Sequence, residues 1–363
     1  MVRDEAKFLG GCLASLSGIV DEVVVVDTGS VDETPEIARQ FGVEVIHHPW
    51  REDFSEARNV SLDQARGEWI LYIDADERLV DARRAYVEEL LLDAEEVAFR
   101  LFLRPRVNAT PYREHRLWRN DPRIRFEGVI HERVVPAIER VAREDGRAIG
   151  KADLMLQHLG YEGDQTKKHQ RNLPLLRRQS QIDPENLFVW NHLGRILEAL
   201  GQTEEAEAAL TRAIETARPI DPLHPMDRLV CLSFGDLIRL RNARGADTTE
   251  LLAEALALFP DNCLLLLFEA RRLIDDEDYV AAIKVLDQIL SFDWATDTGE
   301  PMAYDAQIVG EFPWSEKALC LFRMGEYAEA AEAYAAAARC APDDPSYPVK
   351  GRLALARARR LDT

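Results

Sequence analysis

The first half of the chain alternates short apolar runs with segments in which apolar residues have a helical spacing. The continuous branched run Val23–Val26 ends at Asp27, and such a run is typical of a strand that is buried on both faces. The same patterns predict further strands at 43–46 and 69–73, and helices at 8–17, 32–41 and 55–65. Strands that alternate with helices indicate an α/β domain with a Rossmann-like, mostly parallel sheet.

Beyond residue 164 the pattern becomes purely helical and repetitive. Small and large apolar residues recur at a spacing typical of tetratricopeptide repeats, in segments at 193–213, 227–260, 270–289 and 318–342. Repeats of this kind stack into a superhelix with a concave face. We therefore predict an α/β domain over residues 1–162, a connecting helix over 163–182 and a helical repeat domain over 183–363.

The composition is that of an ordinary globular protein, with 47% hydrophobic and 30% charged residues among 363. The net charge of -20 argues against nucleic acid or an anionic membrane as a partner, because both require a basic surface. No apolar run approaches the roughly 18 residues of a transmembrane span, and residues 1–5 lack the apolar core of a secretory signal. The five cysteines are scattered without a Cys-x-x-Cys pair, which is typical of a reducing compartment. We expect a soluble, cytoplasmic protein.

The best candidate for chemistry lies where the predicted strand Trp69–Ile73 breaks into the carboxylates of Asp74, Asp76 and Glu77. Carboxylates at the carboxyl end of a strand lie where open α/β sheets bind ligands. They suit Mg²⁺ or Mn²⁺, which keep phosphate oxygens as further ligands. The pattern predicts a metal–diphosphate site.

A second acidic turn follows the Val23–Val26 run. Asp27 adds a carboxylate to the same predicted sheet edge, and Gly29 permits a close backbone turn past a ligand. The alternative is structural, because Ser30 or Asp32 is suited to cap the helix that follows. Both roles are compatible.

Three motifs resemble those of a known family: Asp27-Thr28-Gly29-Ser30, the segment from Trp50 to Asn59, and Trp69 followed by Asp74-Ala75-Asp76-Glu77. Together they resemble family 2 glycosyltransferases of the GT-A fold, in the bacterial branch that carries C-terminal tetratricopeptide repeats. The resemblance implies that Asp27 contacts the nucleotide base, with Arg58 close to it. It also implies that Asp74 contacts the ribose or the metal. Asp76 would then bind the divalent cation, Mn²⁺ or Mg²⁺, that holds the donor diphosphate.

Two later segments fit the same family. Phe126–Glu132 resembles an acceptor-side motif, in which Glu132 is the preferred general base and His131 positions the diphosphate or the base. An ion pair with a nearby arginine is the alternative for Glu132. Gln157–Tyr161 resembles a segment that closes the catalytic domain, where His158 completes the metal shell or else packs at the domain junction.

The N-terminus departs from the family pattern. Family members begin with a full strand whose end contacts the nucleotide, whereas only residues 1–5 precede the first helix here. We expect either a misplaced start or an incomplete edge of the nucleotide pocket, with donor binding as the property most affected.

The resemblance implies a metal-dependent, inverting glycosyltransferase with a nucleoside-diphosphate sugar as donor, UDP-linked in our prediction. The acceptor is open: a protein, peptide or glycan held by the repeats, which are also suited to self-association. One alternative is a repeat scaffold with an inactive catalytic domain. Another is a nucleotidyltransferase, but the glycine-rich phosphate loop with a lysine that such enzymes carry is not found in the sequence.

Overall fold

The computed structural model describes residues 1–160, 165–220, 227–293 and 302–361. The chain forms two compact units that divide within one helix, after Ala209. The first unit contains the strands and helices β1 Val25–Asp27, β2 Val45–His47, β3 Trp69–Leu71, β4 Glu77–Val80, β5 Ala98–Arg104, β6 Tyr112–Arg119, β7 Ile149–His158, α1 Leu9–Leu16, α2 Thr34–Gln40, α3 Phe54–Gln64, α4 Arg84–Leu91, α5 Val135–Asp145, α6 Thr166–Ile182, α7 Leu187–Ala199 and the first half of α8 Thr203–Ala217.

The strands of the first unit form two sheets. β1 and β2 pair in parallel, with Val25 opposite Val45. The other five strands have the order β3-β6-β5-β7-β4. The predicted α/β class and the early succession of strands and helices are confirmed, with boundaries that differ by a few residues.

The prediction of a mostly parallel sheet is wrong for the described strands. Parallel pairing occurs between β1 and β2 and between β5 and β7, whereas β3–β6, β5–β6 and β4–β7 are antiparallel. β5 and β6 are joined by a short connection, which makes antiparallel neighbours. Strand β6, Tyr112–Arg119, was not predicted, because its charged side chains interrupt the apolar pattern.

A buried apolar layer connects the α/β elements to the first repeat helices within the same unit. Val129 and Ile130 of the loop before α5 pack in one cluster with Leu176 of α6 and Leu193 of α7. Trp50 and Phe54 pack against this cluster, with ring centroids 4.6 Å apart. Asp53 caps α3 by accepting a hydrogen bond from the Glu56 N–H.

The second unit is helical. Its helices are α9 Val230–Asn242, α10 Thr249–Leu258, α11 Cys263–Asp275, α12 Tyr279–Leu290, α13 Ala306–Val309, α14 Glu311–Met324, α15 Tyr327–Cys340 and α16 Ser346–Leu361, preceded by a short 3₁₀ turn at Asp227–Leu229. None of the described helices is both long and apolar enough to cross a membrane.

The predicted repeats correspond to pairs of consecutive helices. The pairs are α7–α8, α9–α10, α11–α12 and α14–α15. The small signature residues are fully buried where the helices approach each other, at Ala206, Ala270, Ala282, Ala318 and Ala330. The prediction of a repeat region is therefore confirmed. The alanines leave room for close contact between the helices.

Candidate active site

The Asp27 side chain binds the backbone of its own turn. The Asp27 carboxylate is 3% exposed and accepts hydrogen bonds from the N–H groups of Gly29 and Ser30. Gly29 has φ +110°, a conformation that L side chains rarely adopt. The N-cap of α2 is Glu33, which makes no side-chain capping bond. Asp32 nevertheless accepts at 3.0 Å from the N–H of Thr34, the first residue of α2, so it satisfies one free N–H of the helix start as predicted. Ser30 does not take this role, because its hydroxyl donates to the Asp27 carboxylate.

The segment from Val2 to Glu5 lies between the two acidic turns. The Val2 N–H donates to the Val26 carbonyl at 2.7 Å, and Val2 packs with Ala75 in one apolar cluster. The Glu5 N–H donates to Thr34 Oγ1 at 2.8 Å. The turns after β1 and β3 therefore flank the same short segment. The prediction that they lie at one edge of a single sheet is wrong, because β1 belongs to the two-stranded sheet and β3 to the five-stranded one.

Glu5 is a site residue that the sequence analysis missed. Burial first, and then the charges of Asp76 and Asp74, raise the pKa of its carboxyl group to about 7. Three carboxylates thus influence one another at this edge. A cation or a positively charged group placed there would relieve their repulsion.

Arg58 is the centre of a buried charge cluster. Its Nη1 donates to Asp74 Oδ1 at 2.9 Å, and its Nε donates to Glu132 Oε1. The guanidinium carbon lies 4.6 Å from the ring centroid of Tyr72, whose hydroxyl donates to Asp74 Oδ2 at 3.0 Å. Burial opposes the charge of Arg58, but Asp74 and Glu132 hold its pKa well above the usual value.

The Asp74 carboxylate is ionised in this cluster. Burial opposes its charge, but the guanidinium groups of Arg58 and Arg116 hold the pKa of Asp74 well below its usual range. The structure therefore brings together Arg58, Asp74 and Glu132, three of the predicted site residues. Residue 58 lies on α3, residue 74 follows β3, and residue 132 precedes α5.

A second buried ion pair supports the Asp74 turn. Arg116 of β6 donates from both terminal nitrogens to the Glu77 carboxylate at 3.0 Å, and Glu77 also accepts from the Asp74 N–H at 2.9 Å. Burial raises the pKa of Glu77 to about 7, against the opposing effect of Arg116. Glu77 was predicted as one carboxylate of the acidic turn, without a partner. Arg116 was missed because nothing in a charged strand identifies which arginine is buried.

The side chains of Glu132 and His131 have different surroundings. The Glu132 side chain is 9% exposed and is paired with Arg58. The His131 ring is buried and stacks on His192 of α7, with ring centroids 3.8 Å apart. Burial lowers the pKa of His131 to about 4. The described contacts of His131 do not reach the acidic turns.

Asp76 and His158 form the predicted metal pair. His158 Nε2 lies 3.2 Å from Asp76 Oδ2. A Cβ atom at Gly160 would overlap the Asp76 carboxylate, so only glycine permits this close approach. One carboxylate and one imidazole fit Mn²⁺, which accepts both donor types. The described residues contain no group of three or more His, Cys, Asp or Glu side chains suited to hold a metal ion, so the pair would leave most coordination positions to a ligand.

Comparisons with known proteins identify both parts of the chain. Residues 1–133 match the family model for glycosyl transferase family 2, and residues 189–219 and 312–344 match tetratricopeptide repeat models. The chain therefore carries a family 2 glycosyl transferase domain at its N-terminus and tetratricopeptide repeats after it.

Two curated relatives are similar to part of the chain. A TPR repeat-containing protein of Synechococcus elongatus is 36% identical over 60% of this chain and 56% of the relative. The SPbeta prophage-derived glycosyltransferase SunS of Bacillus subtilis is 28% identical over 64% of this chain and 56% of the relative. The chain thus spans little more than half the length of each.

Among solved structures, the chain is similar to glucosyl-3-phosphoglycerate synthase from Mycobacterium tuberculosis in complex with Mn²⁺ and UDP-glucose. The identity is 18%, the match covers 50% of this chain and 76% of that chain, and the TM-score is 0.37.

Proposed function

We propose that the α/β domain transfers a sugar from a nucleoside-diphosphate donor, UDP-linked, to a nucleophilic acceptor, with a divalent cation held by Asp76 and His158. The observation that carries the proposal is the approach of these two side chains beneath Gly160, in a domain that matches family 2 glycosyl transferases. Asp27 and Gly29 are proposed to contact the nucleotide, and Asp74 the ribose or the cation.

The proposed reaction is a single displacement. The acceptor atom attacks the anomeric carbon, the bond to the diphosphate oxygen breaks, and the diphosphate leaves with the electron pair. Glu132 takes the acceptor proton. When bound, a divalent cation supplies charge neutralisation for the departing diphosphate. Attack from the side opposite the leaving group inverts the anomeric carbon.

Arg58 has two effects on this reaction. Its guanidinium orients Glu132 and Asp74 at once, because separate nitrogens bind the two carboxylates. The same charge also favours the ionised form of Asp74. To act as the base, Glu132 must exchange part of its Arg58 contact for the acceptor.

The repeats are proposed to hold the acceptor, as a protein, peptide or glycan, or to mediate self-association. Concave superhelical surfaces suit extended partners. The compartment is proposed to be the cytoplasm, because none of the five cysteines forms a disulfide bond.

Calorimetric titration of the full chain with UDP, with and without Mn²⁺, tests the cation site. We expect UDP binding that depends on Mn²⁺ in the native chain and is lost in Asp76→Ala. Asp153→Ala is the matched control, because this carboxylate is 79% exposed and pairs with Arg113 of β6. Equal UDP binding in the native chain with and without Mn²⁺ would reject the cation role of Asp76. Absence of UDP binding under both conditions would favour the repeat scaffold.

The assignment of Glu132 has its own test. Glu132→Gln preserves the shape of the side chain but removes the proton acceptor. We expect the variant to keep UDP binding and to lose hydrolysis of UDP-glucose, used as a probe of transfer to water. Unchanged hydrolysis in Glu132→Gln would exclude this residue as the base.

A further inference from the structure

The loop that carries Glu132 is closed at its base and strained near its end. Glu127 and Arg133 exchange two backbone hydrogen bonds, at 3.1 and 2.9 Å, so the five residues between them form a tight loop. Gly128 has φ +104° and His131 has φ +51°. A left-handed conformation costs a residue such as histidine roughly 1 kcal/mol, and it persists where the surroundings impose it.

The conformation of His131 separates two neighbouring side chains. The His131 ring is directed to α7, while the next side chain, Glu132, accepts a hydrogen bond from Arg58. A change of the backbone at residue 131 would therefore move the Glu132 carboxylate. What holds His131 in place also determines where the proposed base lies.

Two side chains of α7 hold the His131 ring. His192 stacks on it with an interplanar angle of 28°, and Phe188 meets it edge-on with ring centroids 5.5 Å apart. Phe188 and His192 lie four residues apart, on one face of the helix, and their own rings are 4.3 Å apart. The three rings form one aromatic cluster that joins the first repeat to the loop.

The His131 ring is held by packing. Its Nε2 is buried and has no hydrogen-bond partner among the described residues. Burial lowers the pKa values of both His131 and His192, so two neutral rings stack without charge repulsion. A second contact fixes the loop near its start, where the Val129 N–H donates to Gln179 Oε1 of α6 at 2.9 Å.

We propose that Phe188 and His192, on the first repeat helix, are positioning residues for Glu132: they hold His131 in its left-handed conformation and thereby aim the Glu132 carboxylate at Arg58. The first repeat is then part of the catalytic unit. This inference rests on the proposed role of Glu132, but the position of that side chain can be measured without activity.

The test compares His192→Ala with two matched variants of α7. His192→Phe retains an aromatic ring for stacking. Leu197→Ala removes a buried apolar side chain of the same helix, 2% exposed, and reports the effect of general destabilisation. For each full-length variant we would measure kcat and KM for UDP-glucose hydrolysis with Mn²⁺, and the Arg58 Nε–H resonance by ¹H–¹⁵N NMR, assigned with Arg58→Lys.

We expect His192→Ala to lower kcat at least tenfold with KM within about twofold of the native value. The Arg58 Nε–H signal should move, because its bond to Glu132 weakens, and His192→Phe should restore both properties. Leu197→Ala should leave both near native. The proposal is overturned if His192→Ala leaves the Arg58 signal unchanged, or if Leu197→Ala has the same effects. A native chain without hydrolysis would count against the proposed function alone, since the NMR comparison still decides the positioning role.

Discussion

The repeat helices and the Arg58 cluster fill their interiors in opposite ways. Between α11 and α12 the interior consists of small and branched apolar side chains such as Ala282 and Leu286, both fully buried. Around Arg58 the interior contains guanidinium and carboxylate groups from three distant parts of the chain. The first interior is stabilised by burial that each residue contributes nearly independently. The second is stable only when every charge has its partner.

The two regions are therefore expected to tolerate substitutions to different extents. A repeat layer can lose a methylene group and keep its fold, because the neighbouring layers contribute separate interfaces. A buried charge that loses its partner is left without water or a counter-charge. The largest effects are therefore expected in the α/β domain, although the repeat helices contain more apolar residues.

The largest expected effect is that of Arg58→Met. The substitution keeps the apolar stem but leaves Glu132, whose side chain is 9% exposed, without its counter-charge. Asp74 keeps only its bond from the Tyr72 hydroxyl and the charge of Arg116. The free energy of unfolding should fall by about 3–5 kcal/mol. Urea denaturation measures this loss. Arg84→Met is the control, because its partners Asp21 and Glu88 are exposed and such pairs contribute about 1 kcal/mol or less. Equal losses in both variants would contradict the difference between the two interiors.

The corresponding change in the repeats is Leu286→Ala. Loss of this fully buried side chain should cost about 2–5 kcal/mol, depending on how far the surrounding helices relax. We expect UDP binding at a temperature where the variant is folded to equal that of the native chain. Weakened UDP binding would show that the second unit affects the donor site.

Sequence alone predicted the repeats well because their pattern is local. Ala282 and Leu286 are separated by one helical turn, so their shared burial follows from spacing. The carboxyl ends of β1 and β3 were also predictable, since an apolar run that ends in aspartate has a distinctive pattern. The sequence motifs indicated roles for Arg58 and Glu132, but they did not predict the hydrogen bond between these two residues.

Other features could not be predicted because they depend on distant contacts. Nothing in the sequence pairs Glu77 with Arg116. Strand β6, which forms antiparallel pairs with β3 and β5, contains too many charged residues to appear apolar. The stacking of His131 on His192 joins two motifs that were assigned to different domains.

The pH dependence of stability gives an intermediate effect. His131 has a pKa of about 4 in the fold, lowered first by burial and then by the charges of Lys168 and Arg195, against an ordinary value of 6.5. Because the unfolded chain binds the proton more readily, stability is full above about pH 6.5 and falls as the pH decreases towards 4. Between pH 7 and pH 5 this residue should account for about 2 kcal/mol.

Asparagine at position 131 isolates this contribution, since asparagine tolerates a positive φ and does not titrate. We expect the free energy of unfolding of His131→Asn to fall less between pH 7 and pH 5 than that of the native chain. Urea titrations at both pH values measure the two differences. Identical acid sensitivity would mean that His131 is not held neutral by burial.

The smallest expected effect comes from a matched pair of glycines. Gly29 in the Asp27 turn and Gly325 at the end of α14 have φ values of +110° and +89°, and a Cβ at either would meet no atom within 4 Å. Alanine at each position should therefore cost about 1–2 kcal/mol through backbone strain alone. Gly325→Ala should leave UDP binding unchanged, whereas Gly29→Ala should also weaken it, because the turn is proposed to contact the nucleotide. Calorimetric UDP titration measures the change in affinity, and urea denaturation measures the change in stability. Unaltered UDP affinity in Gly29→Ala would show that this turn does not contact the nucleotide.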